Sequence, residues 1–156
     1  MNYSDWLAAL PPKRKALAER VQRTFSSRLD STFVEGMQYG GWAVFVPHSL
    51  CPAGYHCDPA QPVPFASMRN SKAKLTLHSF GLYVEPDAAE TFAEAWRATE
   101  HKLDMGKGCV RLKSVDDVPW EVLEGWLGRV QLETFLAQYE ASLPEKIRKK
   151  RGVGAQ

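Results

Sequence analysis

The sequence predicts an α+β domain: an antiparallel β-sheet packed against N- and C-terminal helices. Three observations carry that prediction. Most strand-type segments fall in one central block with short links, whereas a parallel sheet needs long crossovers between its strands. Helical periodicity flanks the block on both sides. A chain of 156 residues, 44% hydrophobic and 24% charged, suits one soluble globular domain with a real core. No internal repeat is visible.

The elements follow in order. Ser4 predicts the N-cap of a short helix through Trp6, Leu7 and Leu10, because its hydroxyl can accept an orphan backbone amide. Pro11 and Pro12 end that turn and suit the start of a second helix. This helix aligns Leu17, Val21 and Phe25 on one face and Lys13, Arg14, Lys15, Arg20, Arg23 and Arg28 on the other. Trp42 to Val46, apolar on both faces, predicts a buried strand, and Phe65 to Met68 a second. Lys74 to Leu77 alternates, with Leu75 and Leu77 opposite Lys74, Thr76 and His78. Phe80, Leu82 and Val84 shift the phase by one, which predicts a bulge or turn near Ser79 or Gly81. Pro86 opens a helical pattern in which Phe92, Trp96, Thr99 and Leu103 face inward. "MGKGCVRLK" then reads as a glycine turn into a strand where Val110 and Leu112 oppose Cys109, Arg111 and Lys113. Pro119 starts a last helical region with Val122, Leu123, Trp126, Leu127 and Val130, followed by Leu132, Phe135, Leu136 and Tyr139.

Residues 1–142 are thus expected to form one domain. From Leu143 onward five basic residues face one acid, a local charge of +4 within a total of +2. The segment 143–156 is expected to be a basic, disordered tail after Pro144. The domain itself is close to neutral, so nucleic acid is not an expected partner. No segment approaches the roughly 20 apolar residues of a membrane span, and the N-terminus lacks the pattern of a signal peptide. Three cysteines form no disulfide framework in a chain of this size, which points to the cytoplasm.

"WLAALPPKRKAL", "EGMQYGGWAVFVPHS", "PAGYHCDP" and "KLDMGKGCVRL" resemble the YdhG-like domain of unknown function, in the subgroup with a long proline-rich insertion. The similarity runs from about Ser4 to Ser142. It implies a compact α+β fold, somewhat like frataxin, of intracellular type, and no assigned chemistry. A bacterial relative is described as a frataxin-like iron chaperone, which makes metal handling a reading by analogy. Frataxin-type iron binding uses an acidic ridge on the first long helix. Here that helix sets six basic residues against Glu19, so the ridge mechanism does not carry over.

Within "VPHSLCPAGYHCDPAQPVP" (46–64), His48, Cys51, His56 and Cys57 are all able zinc or iron ligands. Structural zinc sites draw short-spaced pairs from separated turns, whereas His56 and Cys57 are neighbours whose side chains diverge in an extended chain. Pro47, Pro52, Pro59, Pro62 and Pro64 predict a rigid loop, which serves a pocket wall as well as a metal knuckle. Cys51 and Cys57 are also spaced to close a disulfide loop. The Gly106-Lys107-Gly108 turn, with Arg111 and Lys113 beside it, offers backbone amides and positive charge to a carboxylate or phosphate. It matches no Walker loop or dinucleotide fingerprint, and a plain glycine turn into a strand with a solvated cationic face is the preferred explanation. Cys109 shares a strand face with Arg111, and a catalytic thiol there would need a histidine such as His78. No serine nucleophile or paired-carboxylate pattern stands out, so the domain is expected to be non-catalytic. Tyr39, Trp42, His48, Tyr55, His78, Lys107 and Arg111 are expected to line a cleft for a small, anionic ligand or a partner peptide. No cofactor is expected under that reading. The alternative is an iron or zinc carrier using His48, Cys51, His56 and Cys57.

Overall fold

The computed structural model describes residues 1–72 and 74–152. Two N-terminal helices, α1 (Tyr3–Ala8) and α2 (Pro12–Arg28), precede strands β1 (Val34–Gln38), β2 (Gly41–Val46), β3 (Val63–Asn70) and β4 (Leu75–Ser79). Helices α3 (Phe80–Tyr83) and α4 (Pro86–Arg97) lead to β5 (Cys109–Leu112) and a 3-10 turn at Val115–Asp117. Helices α5 (Trp120–Arg129), α6 (Leu132–Ser142) and α7 (Glu145–Lys150) complete the chain. Among the described residues, no helix is long and apolar enough to cross a membrane.

The five strands form an antiparallel meander in the order β1-β2-β3-β4-β5, with β1 to β4 in one block and α3 and α4 between β4 and β5. One face packs on the helices. Trp42 and Val44 of β2, Met68 of β3, Leu75 and Leu77 of β4, and Val110 and Leu112 of β5 are all buried there. Between β2 and β3 the register slips, so that Val44 faces Ala66 while Phe45 faces Pro64. The extra residue, Phe65, is turned into the helix layer. Its ring stacks on Trp126 of α5 at 5.7 Å and meets Phe135 of α6 edge-on at 5.0 Å. Phe25 of α2 meets Trp42 at 5.2 Å. Aromatic contacts of this kind fix the helices over the sheet.

The sheet's other face follows from alternation. A single row crosses all five strands through Gly36, Ala43, Ser67, His78 and Cys109. The next row carries Arg69, Thr76 and Arg111, and Arg69 and Arg111 are exposed.

Three expectations need correcting. The N-cap of α1 is Asn2, whose side-chain oxygen accepts the Asp5 amide at 2.9 Å, not Ser4. The break expected near Ser79 or Gly81 is a helix and not a bulge between strand segments: the Ser79 hydroxyl accepts the Leu82 amide at 3.2 Å at the start of α3. The segment after Pro144 is not simply frayed. Pro144 precedes α7, and Arg151 folds back to bury its guanidinium against Glu140 of α6 at 2.6 Å. Residues 153–156 of the expected tail lie outside the described residues.

Candidate functional site: a basic sheet face and the insertion loop

The sheet's outer face turns basic toward β5. Lys74, just before β4, and Arg111 of β5 both bond the carboxylate of Asp104, Arg111 at 2.8 Å and Lys74 by a short ion pair. Asp104 reaches them because residues 104–106 run antiparallel along the β5 edge. The Arg111 amide donates to the Asp104 carbonyl at 2.9 Å, and the Gly106 amide to that of Cys109 at 2.8 Å. Hydrogen bonds from Lys74 and then Arg111 hold the Asp104 carboxyl below the usual carboxylate range.

A cleft of about 550 Å³ opens beside this clamp, over Trp96 and Leu112. Lys74, Lys102, Arg111 and Lys113 supply its positive charge, His101 an imidazole, and Glu100, Asp104 and Asp117 its acids. Asp104 is already neutralised by the clamp, and Asp117 accepts a hydrogen bond from the Ser114 hydroxyl at 3.0 Å. Lys102 and Lys113 form no ion pair among the described residues. In the row next to Arg111 on the same face, the Cys109 thiol lies 3.1 Å from His78 Nδ1. Burial, and then the nearby Arg69, push the His78 imidazole below its ordinary value.

The insertion, residues 47–62, is tied to itself. The Tyr55 amide donates to the Gln61 carbonyl at 2.8 Å, Gln61 to Asp58 at 2.8 Å, and Asp58 back to Tyr55 at 3.1 Å. His48 Nε2 sits 3.0 Å from the Pro59 carbonyl, and the Gln38 amide group donates to that of Pro62 at 2.9 Å. These bonds add to the restriction that the prolines place on the loop backbone. Tyr55 packs edge-on against Phe80 of α3 at 5.9 Å, and His56 lies 5.7 Å from the Tyr139 ring of α6. Cys51 is buried near the Glu140 carboxylate and the Arg151 guanidinium, 3.7 Å from the latter.

The four proposed metal ligands are therefore not brought together. His48 serves the loop backbone, Cys51 lies beside a buried cation, and only His56 and Cys57 are neighbours, with His56 also bonded to Tyr139. Among the described residues no three His, Cys, Asp or Glu side chains converge as a metal site. Nor is there a disulfide: Cys51 is buried, Cys57 exposed, and both are free thiols.

The residues expected to share one cleft separate into four places. Trp42 is in the core, its indole N–H donating to Glu35 at 3.0 Å. Tyr39, His48 and Tyr55 belong to the insertion-loop side, with Tyr39 at the tip of the β1–β2 turn. There Tyr39 and Gly40 both adopt positive φ, +52° and +80°, the geometry of a two-residue hairpin turn. His78 and Arg111 lie on the basic face. Lys107 turns away, its ammonium 5.3 Å from the centre of the Tyr83 ring. The Gly106-Lys107-Gly108 motif is a turn: Gly108 takes φ +79°, and its carbonyl accepts the Ser79 amide at 2.6 Å. Lys74, Lys102 and Asp104 were not among the expected residues. Alternation with Arg111 marks Lys113, but no local pattern marks Asp104, whose partners come from other segments.

An antiparallel five-stranded meander with its helices on one face defines the class, an α+β domain of the kind the sequence blocks anticipate. The chain shares this fold with the crystal structure of a protein of the DUF1801 family (YdhG) from Bacillus subtilis. The TM-score is 0.56 at 13% sequence identity, over 89% of this chain and 92% of that one. No family model and no curated protein matches the chain.

Proposed function

We propose that this domain binds a small organic anion in the cleft at the β5 edge, beside its basic face, without transforming it. One observation carries the reading: the Asp104 carboxylate already sits between Lys74 and Arg111 at the cleft's edge, with Lys102 and Lys113 unpaired beside it. A carboxylate or phosphate entering the cleft meets two free ammonium groups in surroundings already able to hold a carboxylate. The half-buried apolar wall of Leu103 suits the carbon skeleton of such a ligand. Three free thiols suit a reducing compartment, so we place the domain in the cytoplasm.

Titration calorimetry with a panel of di- and tricarboxylates and sugar phosphates tests this. The Lys102→Ala/Lys113→Ala variant removes no ion pair and should fold normally. Its affinity for the best anion should fall about tenfold, the equivalent of about 1.4 kcal/mol. Binding should also weaken as salt rises. Equal affinity in the variant, or no heat from any anion of the panel at millimolar concentration, removes the reading.

A further inference from the structure

A second cluster lies in the insertion loop, away from the basic face. It consists of a thiol, an imidazole and a phenol in series. The turn closed by the Asp58 amide on the Tyr55 carbonyl brings the side chains of the adjacent His56 and Cys57 to the same side. His56 Nε2 then lies 3.2 Å from Cys57 Sγ. The ring's other nitrogen, Nδ1, is 2.6 Å from the Tyr139 hydroxyl, whose oxygen also accepts the His56 backbone amide at 3.0 Å.

Tyr139 is itself fixed. It is 1% exposed, packs on Phe135 and has the Arg151 guanidinium 5.6 Å from its ring centre. Burial raises its hydroxyl to about 12, so it stays a neutral phenol. A phenolic oxygen has two acceptor sites. The neutral imidazole carries its proton on either nitrogen, and in the Nδ1–H tautomer, with the phenolic oxygen as acceptor, the Nε2 lone pair faces the thiol. Burial, and then Arg151, hold the His56 imidazole below its ordinary value, which keeps it in the neutral, basic form. Cys57, in contrast, is exposed. A nucleophile within reach of a base, and the base held by a third group, is the arrangement that activates a thiol.

We propose that Cys57 is a nucleophilic thiol that forms mixed disulfides with small disulfides, with His56 as its acid–base partner and Tyr139 as a positioning residue. The Cys57 sulfur attacks one sulfur of the disulfide R–S–S–R while His56 Nε2 takes up the thiol proton. The S–S bond breaks, its electron pair leaves with the departing R–S⁻, and Nε2 returns the proton to it. The products are Cys57–S–S–R and R–SH, with no electrons or protons left over. Disulfide exchange needs only a thiolate and a proton for the leaving sulfur, and this pair supplies both. Acyl transfer would require, in addition, paired donors aimed at an oxyanion. The other two thiols lack part of this set. Cys51 is buried, and Cys109 is half-buried beside a His78 whose second nitrogen has no side-chain partner among the described residues.

The experiment is the rate of mixed-disulfide formation with glutathione disulfide and with cystamine at neutral pH, the modified residue being located by peptide mass. Folded protein should react first at Cys57, about tenfold faster than the same thiol in the urea-unfolded chain. His56→Gln, checked for an unchanged melting temperature, should bring the rate down to that of the unfolded chain. Cys57 reacting no faster in the folded than in the unfolded protein, a comparison that needs no variant, overturns the proposal. So does a His56→Gln rate equal to the parent's, or first labelling at Cys109. An anionic and a cationic disulfide reacting alike agree with a site that recognises the disulfide bond itself.

Discussion

Arg151 and Glu140 form a two-pronged contact, with Nε 2.9 Å from one carboxylate oxygen and the terminal nitrogen 2.6 Å from the other. Their side chains are only 6% and 9% exposed. Two desolvated charges of this kind depend on each other. Removing one leaves the other buried without a partner, at a cost of about 3 to 5 kcal/mol, although the pair as a whole adds little over an apolar replacement. Arg151→Ala should therefore lower stability by about 3 kcal/mol in urea unfolding, whereas Glu140→Leu/Arg151→Met should recover most of that loss. A single variant with parental stability would contradict the buried pair. The sequence offered no sign of it. Arg151 stands in a run of basic residues of the sort that is ordinarily solvated, and its partner lies one helix away.

Among the elements, those that alternate cleanly were legible. The β4 and β5 strands place Leu75, Leu77, Val110 and Leu112 inward, and the helices α2, α5 and α6 bury the faces their spacing implies. Strand β1 was not. It is an edge strand of sequence VEGMQ in which only Gln38 is buried, so no alternation betrays it. Helix α3 was hidden for the opposite reason: Phe80, Leu82 and Val84 alternate as a strand does, whereas the chain turns into a helix capped by the Ser79 side chain. Ser79→Ala should thus cost about 1 kcal/mol, measured by thermal unfolding, because it leaves the Leu82 amide without its acceptor. An unchanged midpoint would mean that packing of Leu82 alone holds the turn. The candidate site was half legible. Arg111 and Lys113 follow from strand alternation, but the clamp on Asp104 joins residues 30 and 7 positions apart, beyond any local pattern.

For the molecule as a whole, pH sensitivity follows from two imidazoles. His56 is surrounded by Tyr139, Cys57, Arg151 and Glu140, and His78 by Cys109 and Arg69. Both have folded-state values depressed by burial below the roughly 6.5 of an unfolded chain. Between the folded and unfolded values the unfolded chain binds more protons. Their contribution to stability is therefore complete above about pH 6.5 and is lost as the pH falls through the folded values. The melting temperature should decline between about pH 7 and pH 5, and His56→Gln/His78→Gln should flatten that decline. Carboxylates such as Asp30, held low by the Leu132 and Thr32 amides, act only in more acidic solution. A flat profile in the parent protein would show that neither imidazole is desolvated.

The strictly sequential order of the sheet also bears on how the chain folds. Every strand pairs with a neighbour in sequence, so β1 to β4 can close hairpin by hairpin, and β5 joins them after α3 and α4. Its junctions differ greatly in length: β1 and β2 are joined by a two-residue turn, β2 and β3 by the whole of residues 47–62. The entropy lost in closing a loop grows with its length, and four prolines within that span restrict the unfolded chain and reduce the loss. The prolines that shape the surroundings of His56 and Cys57 thus also shorten the search by which β3 finds β2.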